Sequence, residues 1–247
     1  MNSFISWIGG KKLLRKEIIK RFPDGMRRYV EVFGGAGWVL FGKEQSTSQI
    51  EIFNDIDGEL INLYRVIKYH CEAVQEELQL ILNSREVFMV AKEQQKCSGL
   101  TDIQRAARFY YLIRFSFGSN KHSYGLSKKA IQKPIEYLSE ISDRLERVVI
   151  ENKDFENLIT VYDRKDTLFY LDPPYVGTEK YYSSAFTKAD HEKLKEILDS
   201  IKGRFVLSYN DCPYVRELYS GYNIEAISRN HNLKYDESKF AEVIITN

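Results

Sequence analysis

Arg28-Tyr29-Val30-Glu31-Val32-Phe33-Gly34-Gly35-Ala36-Gly37 is the stretch that decides the fold. A run rich in β-branched and aromatic side chains meets a glycine turn, the mark of a strand that stops sharply. A helix-like segment follows over residues 38–45, and residues 49–54 read as a second strand ending at Asp55. Strand, glycine turn, helix, strand and acid make the opening half of a doubly wound α/β sheet.

Outward from this block the pattern changes and then returns. Residues 58–147 read as mostly helical. Leu60, Ile61, Leu63, Tyr64 and Ile67 fall near helical spacing, as do Val74, Leu78 and Ile81, and later Ala106, Phe109, Tyr110 and Ile113. Within them, residues 115–133 are polar and contain Gly and Ser, as a loop or short hairpin does. Strand-like runs resume at 147–150, 166–171, 204–209, 222–227 and 240–246. Thr187-Lys188-Ala189-Asp190 reads as a capping box opening a helix that runs to about residue 201. The expectation is an α/β domain of residues 1–57 and 148–247, split by a helical insertion at 58–147.

The strand at 166–171 ends in Asp172-Pro173-Pro174-Tyr175. Two prolines forbid further ladder hydrogen bonds. A carboxylate, a rigid carbonyl-bearing turn and an aromatic ring therefore emerge together at the carboxyl end of a strand, where open α/β sheets bind ligands. Asp172 and the Pro173 carbonyl can accept hydrogen bonds from an exocyclic amine, and Tyr175 can stack on the ring that bears it. Read alone, the two prolines do no more than end a strand. The glycine turn adds a second feature: its backbone can approach a ligand closely, and Asp55 is placed for a ribose diol. A dinucleotide fingerprint needs glycine at position 40, where this chain has Leu40. That disfavours a nicotinamide or flavin oxidoreductase and favours a nucleoside ligand without a pyrophosphate, such as S-adenosylmethionine. A turn built for packing, with Asp55 as a helix cap, accounts for these residues taken alone.

Composition bounds the rest. The 247 residues are 43% hydrophobic and 29% charged, as in soluble globular proteins. No apolar run approaches the roughly 20 residues of a membrane span, and residues 1–10 lack the layout of a secretory signal. Cys71, Cys97 and Cys212 form no CxxC pair and make no ligand-like spacing with the four histidines. Neither a disulfide framework nor a metal centre is expected, and a reducing cytoplasm is the simplest home. The formal net charge is +1, yet residues 101–134 carry Arg105, Arg108, Arg114, Lys121, Lys128, Lys129 and Lys133 against Asp102 alone, and residues 11–28 are also basic. Two basic segments in a neutral chain point toward a polyanion; a solvated charged face is the plain alternative.

Several motifs then fall in one order. The chain resembles the Dam-type, D12 class adenine-N6 DNA methyltransferases. Ser6-Trp7-Ile8-Gly9-Gly10-Lys11 resembles their amino-terminal motif, and Glu31 to Gly37 their E-P-F-x-G-x-G turn, with Val32 in place of Pro. Asn54-Asp55 with residues 59–64, Asp154-Phe155, Asp172 to Tyr175, Ser183 to Phe186 with His191, and residues 242–247 are similar to the later motifs. Gln104-Arg105-Ala106-Ala107-Arg108 with residues 114–118 resembles the start of the target-recognition region.

The resemblance covers nearly the whole chain. It implies a Rossmann-like class I methyltransferase sheet with a mostly helical target-recognition insertion. It also implies methyl transfer from S-adenosylmethionine to the N6 amine of adenine in double-stranded DNA, with base flipping, without a metal, in a bacterial or phage cytoplasm. It assigns Asp172, Pro173 and Tyr175 to catalysis, and Trp7, Lys11, Phe33, Gly35, Gly37, Asp55, Asp154, Phe155 and Asp172 to the cofactor. Arg114, Asn120, Lys121, His122, Lys128 and Lys129 are the DNA-binding candidates, and a cognate restriction endonuclease is a candidate partner. Gly118-Ser119-Asn120-Lys121-His122 replaces the familiar N-G-L-x-R hairpin start, so base-reading residues do not carry over by position. The catalytic motif alone also admits cytosine-N4 methylation, adenine methylation in RNA, or an inactive DNA-binding relative. Loss of Asp172 is expected to abolish the chemistry and spare the fold.

Overall fold

The computed structural model describes residues 1–125, 131–177, 186–227 and 242–247. Lys128 and Lys129 lie outside the described residues, as do residues 183–185. The first half of the chain forms α1 (Arg15–Ile19), β1 (Arg28–Glu31), α2 (Trp38–Gly42), β2 (Ile50–Asn54), α3 (Gly58–Gln79), α4 (Arg85–Gln94) and α5 (Asp102–Phe115). Then come α6 (Gln132–Leu145), β3 (Val148–Glu151), α7 (Phe155–Tyr162), β4 (Thr167–Leu171), α8 (Lys188–Ser200), β5 (Arg204–Asn210), α9 (Pro213–Leu218), β6 (Asn223–Ile227) and β7 (Glu242–Thr246).

The strands form one sheet in the order β3-β2-β1-β4-β5-β7-β6. Pairing is parallel from β3 to β5, while β7 runs antiparallel to both β5 and β6. This is the doubly wound sheet anticipated from residues 28–55. Chain progression reverses between β1 and β4, which are hydrogen-bonded neighbours. The two ends that the sequence marked, the glycine turn after β1 and the proline turn after β4, are therefore brought side by side at the switch point.

Alternation along the strands builds two cores. Tyr29, Phe53, Leu168 and Tyr170 face one side, with side chains of α3, α5 and α6; Val30, Ile52, Phe169 and Leu171 face the other, with those of α7, α8 and α9. Burial on both faces is why the central strands read as near-continuous apolar runs. The long helical stretch between β2 and β3 packs chiefly on itself, α3 against α5 and α6, yet its buried side chains join the sheet in one cluster.

One buried ion cluster joins the last of these helices to the sheet. Glu51 on β2 lies 2.8 Å from Lys43 Nζ and accepts two hydrogen bonds, of 2.6 and 3.0 Å, from the Arg144 guanidinium of α6. Arg144 also donates to the Leu40 carbonyl at 2.9 Å.

Local signals set the helix ends. Thr187 and Asp190 form the expected capping box, and α8 ends where the sequence placed it. Thr101 and Gln104 form a second box that starts α5. The helix expected over 38–45 stops at Gly42 because Lys43 turns to extended backbone. Where a loop or short hairpin was expected, the described residues show one antiparallel bridge between Ser116 and Tyr124.

Candidate active site at the switch point

The glycine turn is held from every side. Gly34 N donates to Asn54 O at 2.7 Å and Gly37 N to Gly34 O at 2.8 Å. Gly35 N donates to Asp55 Oδ2 at 2.8 Å, and the Tyr64 hydroxyl donates to Gly35 O at 3.1 Å. Gly35 and Gly37 have φ of +50° and +64°, a region open to glycine. A Cβ on Gly35 would lie 2.9 Å from Cδ1 of Trp7, so the indole rests on bare backbone. Asn54, which sequence reasoning placed in a motif without a task, ties three strand ends together. Its amide donates to Val32 O and Lys153 O, and its carbonyl accepts from Lys153 N.

Beyond this turn lies a cavity of ≈ 730 Å³, lined by Trp7, Lys11, the glycine turn, Asp55, Asp172 and Pro174 among others. At one end Phe33, Phe155 and Phe186 form a three-ring cluster with centroids 5.7–5.9 Å apart. Phe186 had no assigned role; only its place after the proline motif hinted at one. Asp154 lines the cavity while its carboxylate caps α7, accepting from Asn157 N at 3.0 Å.

Asp55 accepts from Asp57 N at 2.9 Å as well as from Gly35. Burial raises its pKa to about 6, against the lowering effect of the backbone amides of Asp57, Gly35 and Ile56. Glu31, on the cavity floor, is pushed by burial up to about 8, although the Tyr29 hydroxyl donates to it at 2.7 Å.

Asp172, half-buried, and Lys11, buried, form an ion pair. Lys11, only 3% exposed, places Nζ 2.7 Å from Asp172 Oδ1 and donates to Gly9 O at 2.7 Å. The Ser208 hydroxyl of β5 donates to the same oxygen at 3.0 Å. Burial raises the Asp172 pKa and Lys11 lowers it, with a net upward shift. Loss of Asp172 would leave the buried Lys11 ammonium without its carboxylate, a cost in stability that the sequence did not announce.

Tyr175 stands one layer out. Lys11 Nζ lies over its ring, 4.7 Å from the centroid, and Tyr209 stacks on it at 5.9 Å. Its hydroxyl donates to Glu242 Oε2 of β7 at 3.0 Å, a contact invisible in sequence because it joins residues 67 positions apart. His191 is buried and shares a hydrogen bond with the Tyr209 hydroxyl, a supporting place behind Tyr175.

The expected DNA candidates separate. Asn120, Lys121 and His122 line the mouth of the cavity, whereas Arg114 sits beneath the loop on a small hollow with Phe4, Ser6 and Ser119. Phe117, unremarked in the sequence, is 73% exposed on the same loop. Among the described residues no three His, Cys, Asp or Glu side chains are grouped to hold a metal ion. No helix among them is long and apolar enough to cross a membrane.

Comparison with known proteins decides what this constellation belongs to. A family model of D12 class N6 adenine-specific DNA methyltransferases matches residues 7–233. The chain belongs to that family. It is 30% identical to the type II methyltransferase M1.LlaDCHI of Lactococcus lactis, over all of this chain and 95% of that protein. It is 26% identical to a DNA adenine methylase of Haemophilus influenzae, over 97% of this chain and 90% of the other. The retron Ec67 DNA adenine methylase of Escherichia coli is 27% identical, over 99% and 90%. The methyltransferase thus carries adenine-N6 DNA methylation as its activity, and its switch-point cavity is where the family's motifs converge.

Proposed function

We propose that the cavity binds S-adenosylmethionine and that Asp172, Pro173 and Tyr175 receive an adenine flipped out of duplex DNA. The observation that carries this is the meeting, in one cavity, of a glycine cradle with Asp55 and the Asp172–Lys11 ion pair. The fit is chemical. The Phe33, Phe155 and Phe186 cluster suits a purine ring, Asp55 suits a ribose diol, and bare backbone at Gly35 admits a close approach. When bound, the donor supplies an electrophilic methyl group on a sulfonium.

The protein's part is positioning and electrostatics. Lys11 and Ser208 both engage Asp172 Oδ1, so Oδ2 is the oxygen we assign to the adenine amine. With the Pro173 carbonyl as second acceptor, both amine hydrogens are held and the nitrogen lone pair is turned out of conjugation. Reaching a base inside a duplex requires flipping, which costs a few kcal/mol. Tyr175 offers its ring to the extruded base, and exposed Phe117 is an aromatic surface for the gap left behind.

The helical region at 58–147 is proposed to carry target recognition, with Lys128 and Lys129 on phosphates. A cognate restriction endonuclease and a bacterial or phage cytoplasm are proposed from the type II relative. Transfer of a labelled methyl group to duplex DNA, with N6-methyladenine identified in the nucleoside digest, tests the reading. Duplex binding without transfer would mark an inactive relative instead.

Asp55 makes the donor site pH-dependent. Its folded pKa of about 6 lies above the ordinary 3.8, so its contribution to stability is greatest below 3.8 and is lost as pH rises toward 6. Donor binding runs the other way, because the carboxylate is the better acceptor for ribose hydroxyls. If the ionised form alone binds, affinity should rise about tenfold between pH 5 and 7. Calorimetry with S-adenosylhomocysteine should show this step in the wild type and not in Asp55→Asn; a step that survives removes Asp55 from the site.

Tyr175→Phe keeps the ring and loses the hydrogen bond to Glu242, which should cost about 1 kcal/mol of stability. Transfer should remain within several-fold of the wild type, whereas Tyr175→Ala should lose most of it. Single-turnover transfer rates for the two variants check this; equal losses would give the hydroxyl, not the ring, the main role.

A further inference from the structure

Lys121 does not stand where a phosphate-binding lysine is expected. Its ammonium lies 4.7 Å from the Trp7 ring and 4.5 Å from the Phe109 ring, and 3.9 Å from Asp57 Oδ2. Burial lowers its pKa, opposed by Asp57, Asp55 and Glu59 in that order. The lysine thus sits at the cavity mouth, against the indole that covers Gly35 and within the field of the ribose-binding acid.

The loop that carries it is tightly specified. Ser119 and Lys121 both adopt left-handed backbone, with φ of +58° and +62°. Such backbone is strained for residues other than glycine and persists only where surrounding contacts impose it. Those contacts are present: Ser116 Oγ accepts from Lys121 N at 3.0 Å, and Asn120 Oδ1 accepts from His122 N at 2.8 Å and Ser123 N at 3.2 Å. The same loop exposes Phe117. One short segment therefore shows an aromatic ring to the outside and drives an ammonium toward the donor cavity.

We propose that Lys121 is a positioning residue through which the recognition loop senses the methyl donor. Its ammonium donates to a ribose hydroxyl whose own proton goes to Asp55, so that donor binding fixes the loop for duplex binding. The proposal rests on the donor reading of the cavity. A ribose diol both donates and accepts, which suits an acid and an ammonium facing it together. Linkage makes the effect reciprocal: whatever factor the donor adds to duplex affinity, the duplex adds to donor affinity.

The test measures that factor. S-adenosylhomocysteine, which cannot transfer a methyl group, is titrated calorimetrically with and without a duplex that the wild type methylates. In the wild type the duplex should tighten its binding by about fivefold or more. Lys121→Met, which keeps the aliphatic stem on the two rings, should bring the factor to within about twofold of unity, and Lys121→Arg should restore it. An unchanged factor in Lys121→Met overturns the proposal. So does a variant that weakens duplex binding alone and flattens its salt dependence by about one unit, which would make Lys121 a phosphate contact. A wild type that fails to bind S-adenosylhomocysteine refutes the donor reading before any variant is made.

Discussion

Asp172→Ala is expected to lower methyl transfer to duplex DNA by on the order of 10²–10³-fold, the cost of losing one preorganised partner of the reacting group. The same change should destabilise the protein by about 3–5 kcal/mol, because it leaves the Lys11 ammonium, 3% exposed, without its carboxylate. The two effects must be separated. Asp172→Asn keeps the shape and a hydrogen-bond acceptor for Ser208 while removing the charge, and the double variant Lys11→Met with Asp172→Asn leaves no buried charge behind. Transfer should stay low in all three, while the double variant regains much of the stability lost. Single-turnover transfer and thermal unfolding, measured on the same preparations, read both quantities. Near-wild transfer in Asp172→Asn would remove the carboxylate from the mechanism.

Arg144→Met should be the most destabilising change far from the cavity. The guanidinium is buried, makes two hydrogen bonds to Glu51 and one to Leu40 O, and fixes α6 against β2. Lys43 still holds Glu51 in the variant, at 2.8 Å, so the loss should fall at the lower end for a broken buried pair, about 3 kcal/mol. For a chain of this size that is roughly 6–12 °C in Tm. Adding Glu51→Gln should deepen the loss, since it leaves the Lys43 ammonium without its carboxylate. Donor-analogue affinity at low temperature should be unchanged in both. A shift in Tm below about 2 °C would mean that the cluster contributes little.

The sheet was legible because its signals are local. Four of the seven strand-like runs, those at 28–33, 49–54, 147–150 and 166–171, are followed by glycine or an acid, and all seven form strands within two residues of the expected positions at either end. The capping box at Thr187 set α8 for the same reason. Asp55, Asp172 and the glycine turn were legible because they stand at strand ends, where chemistry and chain direction are fixed together. What was not legible is what depends on distant residues meeting. The Tyr175 hydroxyl finds Glu242, Asp172 finds Lys11 and Ser208, and Phe186 completes a ring cluster with Phe33 and Phe155. Lys121 shows the same limit. Its neighbours in sequence are basic and polar, so it read as a DNA-binding candidate, phosphate contact or base reader alike, while the left-handed backbone that turns it inward has no signature in residue type.

The pairing of β1 with β4 also governs how the molecule comes into being. Arg28 and Asp166, at the foot of that seam, form an ion pair across 138 positions of chain. A nascent chain can assemble the glycine turn, Asp55 and the helices of the first two thirds without the Asp172 turn. Closing so long a loop is slow, and contacts of that separation tend to form late. The Asp172 turn is therefore expected to join the sheet after the helices of residues 58–147 have formed.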